Sequence, residues 1–504
     1  MRLKTKYGMV VSGHRDATKA GMKILKKGGN AIDAAIATAS TLAVVIPNMN
    51  GLGGDSIALW YDAKKNKVKV INGSGKSPIK ASKKYFKSIG LKKIPQRGPL
   101  SISIPGVVHA WETSLKKYGK KNFKEVLKDA INFAEKGITI NKYLKDFLEG
   151  KVYKSLIKNN KNLSSIFGEK KIFKIGSKIK QKNLAKTLRI LSKDGAKSFY
   201  KGKLSKIIVE DIKKQGSIIT ETDFKNHLTL IQKPIVTNYY KKKVYTAPPN
   251  SQGLALLILC NLFQNINKKS EKINLYSYFK NKKIAFNNRD FYCIDPTISK
   301  INFKKIKDLK KNIYFKKKDY KKNISGDTST LVVVDKHGNA VSWVQSLFEE
   351  FGSGIVSSRT GVILHNRLYL EKIDNSINYL KPNKRPFHTL CPSIVSNGKR
   401  CDLTIATPGD HGQPQTIFQI LHHVYKNNIQ IQKAIDLPRV RHNSANTILV
   451  EKNYLDKFNY KKKDKILKIY KYKKKNRIFG GVTAIKINSN KTLSRGADKR
   501  RNCY

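Results

Sequence analysis

The chain has 504 residues, 39% hydrophobic and 9% aromatic, with 102 Lys+Arg against 34 Asp+Glu and a formal charge of +68. Length and apolar content suit a folded protein with a large core and exclude a chain that is disordered throughout. The charge is mostly lysine spread along the whole chain, as compositional drift would leave it, so a basic nucleic-acid-binding protein is only a secondary alternative and no specific nucleic acid is expected as partner. Five widely spaced cysteines (Cys260, Cys293, Cys391, Cys401, Cys503) form no CxxC, which suits a reducing compartment and offers neither a disulfide framework nor a zinc site. No metal or cofactor is expected.

Met1 to Gly8 leads into Val10 and then polar residues, so no signal peptide is read there. Ala34 to Ile46 is apolar but too short to cross a bilayer, and Pro47 ends it. The expectation is a cytoplasmic protein with no membrane partner.

Gly8 to His14 reads as a short strand entering a turn, with Asp16 placed to cap a helix from Ala17 to Lys27 that Gly28-Gly29 closes. A second helix, Ala31 to about Val44, is rich in small residues and suggests close packing. Pro47 to Asp55 is a glycine loop leading to the strand Ser56 to Tyr61. It lacks a following Gly-Lys-Ser/Thr and precedes a strand, so it meets neither nucleotide fingerprint and is read as a tight structural turn.

Val68 to Ile71 continues as strand, and Ser101 to Gly106 opens a helix through Trp111. From there to about residue 230 the pattern is helical with lysine-rich, solvated faces. Tyr245 to Gly253 is a loop that opens the apolar helix Leu254 to Phe263, and the very basic segment Lys304 to Lys322 reads as a solvated linker ahead of Asp327-Thr328. Thr404 to Gln413 reads as a strand, a tight turn and the start of a helix near Pro414, whose exposed amides could hold an anion. His422 and His423 on that helix do not share a face, so packing is their expected role. A lysine-rich stretch, Lys461 to Arg477, precedes a final strand from Gly480 to Ile487.

The organising stretch is Gly326-Asp327-Thr328-Ser329-Thr330-Leu331-Val332-Val333-Val334-Asp335. Its β-branched run reads as a buried strand, with a bend at Asp335 to Asn339 and a return strand from Ala340 to Ser346. Thr328 thus leads a core strand. A threonine hydroxyl is a weak nucleophile and needs a base. If the chain is cut between Asp327 and Thr328, the freed α-amine (reference pKa about 7.7–8.0) can take the hydroxyl proton. The same hydroxyl can first attack the Asp327 carbonyl, giving an ester whose hydrolysis frees that amine.

Gly8-Met9-Val10-Val11-Ser12, Ala17-Thr18-Lys19-Ala20-Gly21 and Lys27-Gly28-Gly29-Asn30-Ala31-Ile32-Asp33-Ala34-Ala35 lie in order ahead of Gly51-Leu52-Gly53-Gly54, Ile104-Pro105-Gly106 and Pro248-Pro249-Asn250-Ser251-Gln252-Gly253. Asp327-Thr328-Ser329-Thr330, Phe351-Gly352-Ser353-Gly354-Ile355-Val356, Thr407-Pro408-Gly409 and Gly496-Ala497-Asp498 follow. This series resembles the γ-glutamyltransferase family almost end to end. The resemblance implies an α/β (α+β) fold, the four-layer αββα sandwich of N-terminal-nucleophile hydrolases. It implies self-cleavage into a large chain, 1–327, and a small chain, 328–504, forming one intertwined domain. It implies hydrolysis or transfer of the acyl half of a small amide, a γ-glutamyl compound such as glutathione or a related substrate, through an acyl-Thr328 ester.

Position by position, the resemblance makes Thr328 the nucleophile, Ser346 its hydroxyl partner, and Gly409 and Asp410 the oxyanion hole. It places Ser74, Phe348, His388 and Thr389 at substrate-binding positions. There the chain departs from γ-glutamyl enzymes: Ser74 stands for an arginine, although Lys76 follows two residues on, and Leu370 stands for an aspartate. Phe348 stands for an asparagine and His388-Thr389 for a serine pair. Losing the groups for both zwitterion charges points to a divergent branch that includes oxamate amidohydrolases and cephalosporin acylases.

Overall fold

The computed structural model describes residues 2–3, 5–169, 172–264, 275–298, 328–373, 379–454 and 467–504. Asp327 and the segment Lys304 to Lys322 lie outside the described residues, as does the first part of the stretch Lys461 to Arg477.

Two antiparallel sheets form the centre. The first has six strands in the order Gly8–Ser12, Ser329–Asp335, Ala340–Ser346, Asp55–Asp62, Lys67–Asn72 and Leu230–Gln232. The second has seven, in the order Arg2–Leu3, Leu493–Ala497, Thr483–Ile487, Cys401–Ala406, Ser393–Ser396, Lys242–Thr246 and Ile235–Tyr239. In each sheet the strands that follow Thr328 lie in the middle, flanked on both sides by strands that precede it, so neither segment of the chain forms a sheet of this kind alone.

Period-two alternation distributes the side chains between layers. Val332, Val334, Ala340 and Val344 pack with Ile394, Ala406 and Ile485 of the facing sheet. Leu331, Val333, Val341 and Trp343 point the other way, into the helices Arg15–Lys26, Ala31–Val45 and Val107–Tyr118. Beyond the second sheet, Val395, Leu403 and Ile405 pack on Gly253–Gln264, Leu275–Tyr292 and Gln413–Tyr425. The result is the four-layer αββα sandwich expected from the sequence, with every central strand covered on both faces. Hydroxyls also tie the sheets together: Ser342 Oγ donates to Ile405 O at 2.8 Å and Thr404 Oγ1 to Val341 O at 2.9 Å.

The helix Ala31–Val45 is buried along its whole length, which explains its run of alanines. Asn30 caps it, with Asp33 closing a capping box. Two local expectations need correction. His14, not Asp16, caps the first helix, its Nδ1 accepting from Asp16 N at 3.2 Å. The helix placed at Ser101 to Trp111 begins only at Val107 and runs to Tyr118, because Ile102 and Ile104 lead in as extended chain, with Gly106 N bonded to Gly54 O.

Candidate active site

The register of the central hairpin builds the site. Ser329 pairs with Gln345 and Thr330 with Val344, so one further step sets Thr328 opposite Ser346. Both side chains then share the parity of Val332 and Val344 and face the space between the sheets. The Thr328 hydroxyl donates to Ser346 Oγ at 3.2 Å, and Phe348 N donates to the same oxygen at 2.7 Å. Thr328 is only 4% exposed.

The glycine loop holds the neighbouring strand against this pair. A Cβ on Gly54 would lie 2.6 Å from Ser346 O, so only glycine lets the two backbones approach. The residue that follows, Asp55, opens the strand and is completely buried beneath the site. Reading the loop as a structural turn missed the role of this carboxylate, since nothing local in the sequence says what Asp55 will meet.

Asp55 is the hub of a buried polar cluster. His388 Nε2 donates to its Oδ2 at 3.0 Å, His365 Nδ1 lies 3.3 Å from that oxygen, and Arg367 Nε lies 3.6 Å away. Burial alone would raise the Asp55 carboxyl. Its contacts with His365, and then with His388, outweigh it and hold the group well below the usual carboxylate range. Burial, with the Arg367 charge, pushes His388 down to about 4. His388 is therefore neutral at neutral pH. Leu390 N donates to its Nδ1 at 3.4 Å, and both ring nitrogens face protein groups.

The other positions named from sequence fall around this hub. Thr389 Oγ1 accepts from Arg367 Nη1 at 3.1 Å, and the Arg367 guanidinium carbon lies over the Phe348 ring, 4.0 Å from its centre. Ser74 is engaged inside the fold: its hydroxyl donates to Asn72 Oδ1 at 2.6 Å and accepts from Asn250 Nδ2 at 3.1 Å. Leu370 packs against the hydrophobic layer beyond the second sheet. Arg367 and His365 were not singled out from sequence; Asn366 between them gave no spacing signal, and only the fold brings them to Asp55.

Gly409 and Asp410 sit in the turn between the strand Cys401–Ala406 and the helix Gln413–Tyr425. Both are left-handed, with φ of 121° and 52°, a conformation that suits Gly409 and strains Asp410. Gln252 Nε2 braces the turn by donating to Asp410 O at 2.8 Å, and Arg289 Nη1 holds Gln252 Oε1 at 3.1 Å. Both Asp410 carboxylate oxygens are buried without a hydrogen-bond partner. Burial pushes this carboxyl up to about 6, against the pull of Arg441, Arg367 and Arg289.

On the other flank of Thr328, beside the strand Gly8–Ser12, lies a small cavity that opens to solvent. Gly13, His14, Asn48, Tyr143, Thr328 and Arg501 are among its lining residues. Asn48 is fully buried there, with neither its amide oxygen nor its nitrogen bonded. Thr328 thus borders the cavity on one flank and Ser346 on the other, and Asp55 pairs with Ser346 across the next strand.

A model of the gamma-glutamyltranspeptidase family matches residues 17–503. The chain belongs to the gamma-glutamyltranspeptidase family. It is 34% identical to the glutathione hydrolase-like YwrD proenzyme of Bacillus subtilis, over 98% of this chain and 97% of that one. It is 29% identical to the oxamate amidohydrolase proenzyme of Klebsiella pneumoniae, over 86% and 84% of the two chains. Among solved structures, cephalosporin acylase from Bacillus halodurans superposes with a TM-score of 0.90 at 27% identity, covering 100% of this chain and 96% of that one. The family member described here is thus an enzyme of the hydrolase and transferase type with the N-terminal-nucleophile fold.

Proposed function

We propose that this enzyme is made as a precursor, cuts itself between Asp327 and Thr328, and then uses Thr328 to carry the acyl half of a small amide. The observation that carries this reading is the 3.2 Å bond from the Thr328 hydroxyl to Ser346 Oγ at the leading end of a core strand. A rigid sheet fixes the hydroxyl, and the α-amine freed by cleavage takes its proton. Thr328 Oγ adds to the amide carbon, the C–N bond breaks, and the amine leaves with the proton. The turn at Gly409 and Asp410 presents backbone N–H groups to the oxygen of the tetrahedral intermediate. Water or a second amine then releases the ester. The cavity beside Gly13 and Asn48 receives the amine half, because it opens on the flank of Thr328 away from Ser346 and Phe348.

The acyl half need not be γ-glutamyl. Ser74 is committed to Asn72 and Asn250, and Leu370 packs as an apolar side chain. Neither offers the charges that would hold a free α-carboxylate and α-amine. An amidohydrolase of a different small substrate, as in the oxamate and cephalosporin relatives, fits these residues better. A denaturing gel of the purified protein tests the first step: fragments 1–327 and 328–504 are expected, and a single uncut band for Thr328→Ala. An uncut unmodified protein sinks the proposal. Incubation with glutathione, oxamate and a panel of simple amides then ranks the acyl groups.

A further inference from the structure

Three hairpin turns of the second sheet meet at the end of that sheet opposite the turn at Gly409 and Asp410. Tyr240 and Lys241 join Ile235–Tyr239 to Lys242–Thr246, and Asn397 to Arg400 joins Ser393–Ser396 to Cys401–Ala406. Asn488 to Thr492 joins Thr483–Ile487 to Leu493–Ala497. The antiparallel register sets all three on one edge, since Ser396 pairs with both Lys243 and Cys401, and Leu403 pairs with Lys486. The strand Cys401–Ala406 starts at this edge and leads away from it toward Gly409, roughly 14 Å from Asp402 to Ala406.

Between the turns lies a cavity of about 380 Å³, whose lining includes Lys242, Asn397, Arg400, Asp402, Lys486 and Asn488. The charge of the chain puts lysine over the whole surface, so a lysine alone carries no message. Here the cations are held in place. Asp402, whose side chain is 7% exposed, takes Lys242 Nζ on Oδ1 at 3.1 Å. Its Oδ2 takes Lys486 Nζ at 2.7 Å and the Tyr425 hydroxyl at 2.6 Å. Burial works against the charge of this carboxyl, but Lys486, then Tyr425 and Lys242, outweigh it and hold the group below its ordinary value. Both ammonium groups also lie over the Tyr425 ring, at 5.7 and 5.3 Å from its centre. Arg400 Nη2 donates to Asn488 O at 2.7 Å and so ties one turn to the next.

Each ammonium has three N–H groups and gives one to Asp402, while the guanidinium has five and gives one to Asn488. Three cations thus stand against one carboxylate, and no second acidic residue lines the cavity among the described residues. Like charges gathered in a concave site repel one another, and an anion placed among them relieves that repulsion.

We propose that this cavity binds a diphosphate group, either inorganic pyrophosphate or the diphosphate of a nucleotide, at a site separate from Thr328. The planar fork of Arg400 matches two oxygens of one phosphate. Lys242 and Lys486, held on one carboxylate, supply point charges for the other. None of these residues belongs to the proposed acyl-transfer machinery.

The test is calorimetric titration of the full-length protein at near-physiological ionic strength, where the diffuse field of a +68 chain is screened within about 8 Å. Pyrophosphate, ADP, orthophosphate and citrate are the ligands. One saturable site for pyrophosphate or ADP is expected, about 10-fold or more tighter than for orthophosphate or citrate. Arg400→Gln and Lys486→Gln should each weaken it by about 10-fold or more, the scale of one charge-assisted hydrogen bond. Lys491→Gln, on the same hairpin as Asn488 but outside the cavity lining, should leave it unchanged. Tighter binding of ADP assigns the site to a nucleotide, and tighter binding of pyrophosphate assigns it to the inorganic ion. Citrate binding as tightly as pyrophosphate overturns the proposal in the unmodified protein alone, because the site then reads charge and not phosphate. An equal loss in Lys491→Gln and Arg400→Gln also overturns it, since the binding then belongs to the general field. Thr328→Ala should bind as the unmodified protein does; loss of binding there would place the anion at the candidate reaction centre and sink the separate site.

Discussion

Thr328 and Ser346 face each other across neighbouring antiparallel strands, hydroxyl to hydroxyl at 3.2 Å, and Ser346 is itself held by Phe348 N. In the proposed reaction Ser346 is the orienting acceptor for the Thr328 proton. Ser346→Ala should slow both self-cleavage and turnover by on the order of 10²-fold, the scale of one lost positioning bond at a reacting group. Ser346→Thr keeps the oxygen and should recover most of the rate. Time courses of cleavage on denaturing gels and single-turnover rates check both variants. Equal rates for Ser346→Ala and the unmodified protein would leave the bond without a role.

Asp55 binds its neighbours together rather than touching solvent. Replacing it by Asn leaves Arg367 without its nearby countercharge, and the asparagine amide cannot serve the two histidines as the carboxylate does. Breaking one side of a buried charged cluster costs about 3–5 kcal/mol. Urea unfolding of Asp55→Asn against the unmodified protein, read by tryptophan fluorescence, should show a loss of that size. A change under about 1 kcal/mol would mean that the cluster is not coupled to folding.

Much of this architecture was legible in the chain because its signals are local. The alternation of Leu331 to Val334 and the bend at Gly338 announce the central hairpin, and the alanines from Ala31 onward announce a buried helix. Thr328 stands out as the head of that hairpin, whereas Ser346 was marked as its partner only by the family resemblance. Asp55, His365 and Arg367 stayed hidden because their meaning arises between strands and loops far apart in sequence. His388 was found only as an aligned position; that both its nitrogens are used within the protein needs the three-dimensional contact with Asp55. The first helix cap was assigned to Asp16 because aspartate is a common cap, whereas the helix starts two residues earlier and gives that place to His14.

Asn48 offers a separate handle on the amine side. It is fully buried at the cavity with both polar atoms unbonded, so the folded protein carries an unsatisfied amide there. Asn48→Leu keeps a similar volume and removes that burden, so stability should rise by about 1–2 kcal/mol. If the amide contacts the incoming or leaving amine, the same variant should lower the ratio of aminolysis to hydrolysis. Thermal unfolding and product analysis with an added amine acceptor measure the two effects independently.

Asp410 gives the most specific dependence on pH. Its carboxyl is buried, raised to about 6, and faces Arg441, Arg367, Arg289 and His411. Between the ordinary carboxylate value near 4 and about 6, the folded protein holds this proton while the unfolded chain has lost it. Stability from this group therefore falls as pH rises through that window and levels off above it. A shift of this size corresponds to about 3 kcal/mol. Asp410→Asn removes the titration and keeps a residue that tolerates a positive φ. The variant should gain stability relative to the unmodified protein between pH 4 and pH 7, with little further gain beyond. In the proposed reaction this turn faces the developing oxyanion, where an ionised carboxylate opposes the chemistry and the amide does not. The ratio of kcat for Asp410→Asn to kcat for the unmodified enzyme, measured on one neutral amide, should therefore climb from pH 5 to pH 7 and then stay level. In the proposed mechanism the Thr328 α-amine titrates in both proteins and cancels from that ratio, so a ratio that is flat across pH 5 to 7 would show that the Asp410 carboxylate does not act on the reaction centre.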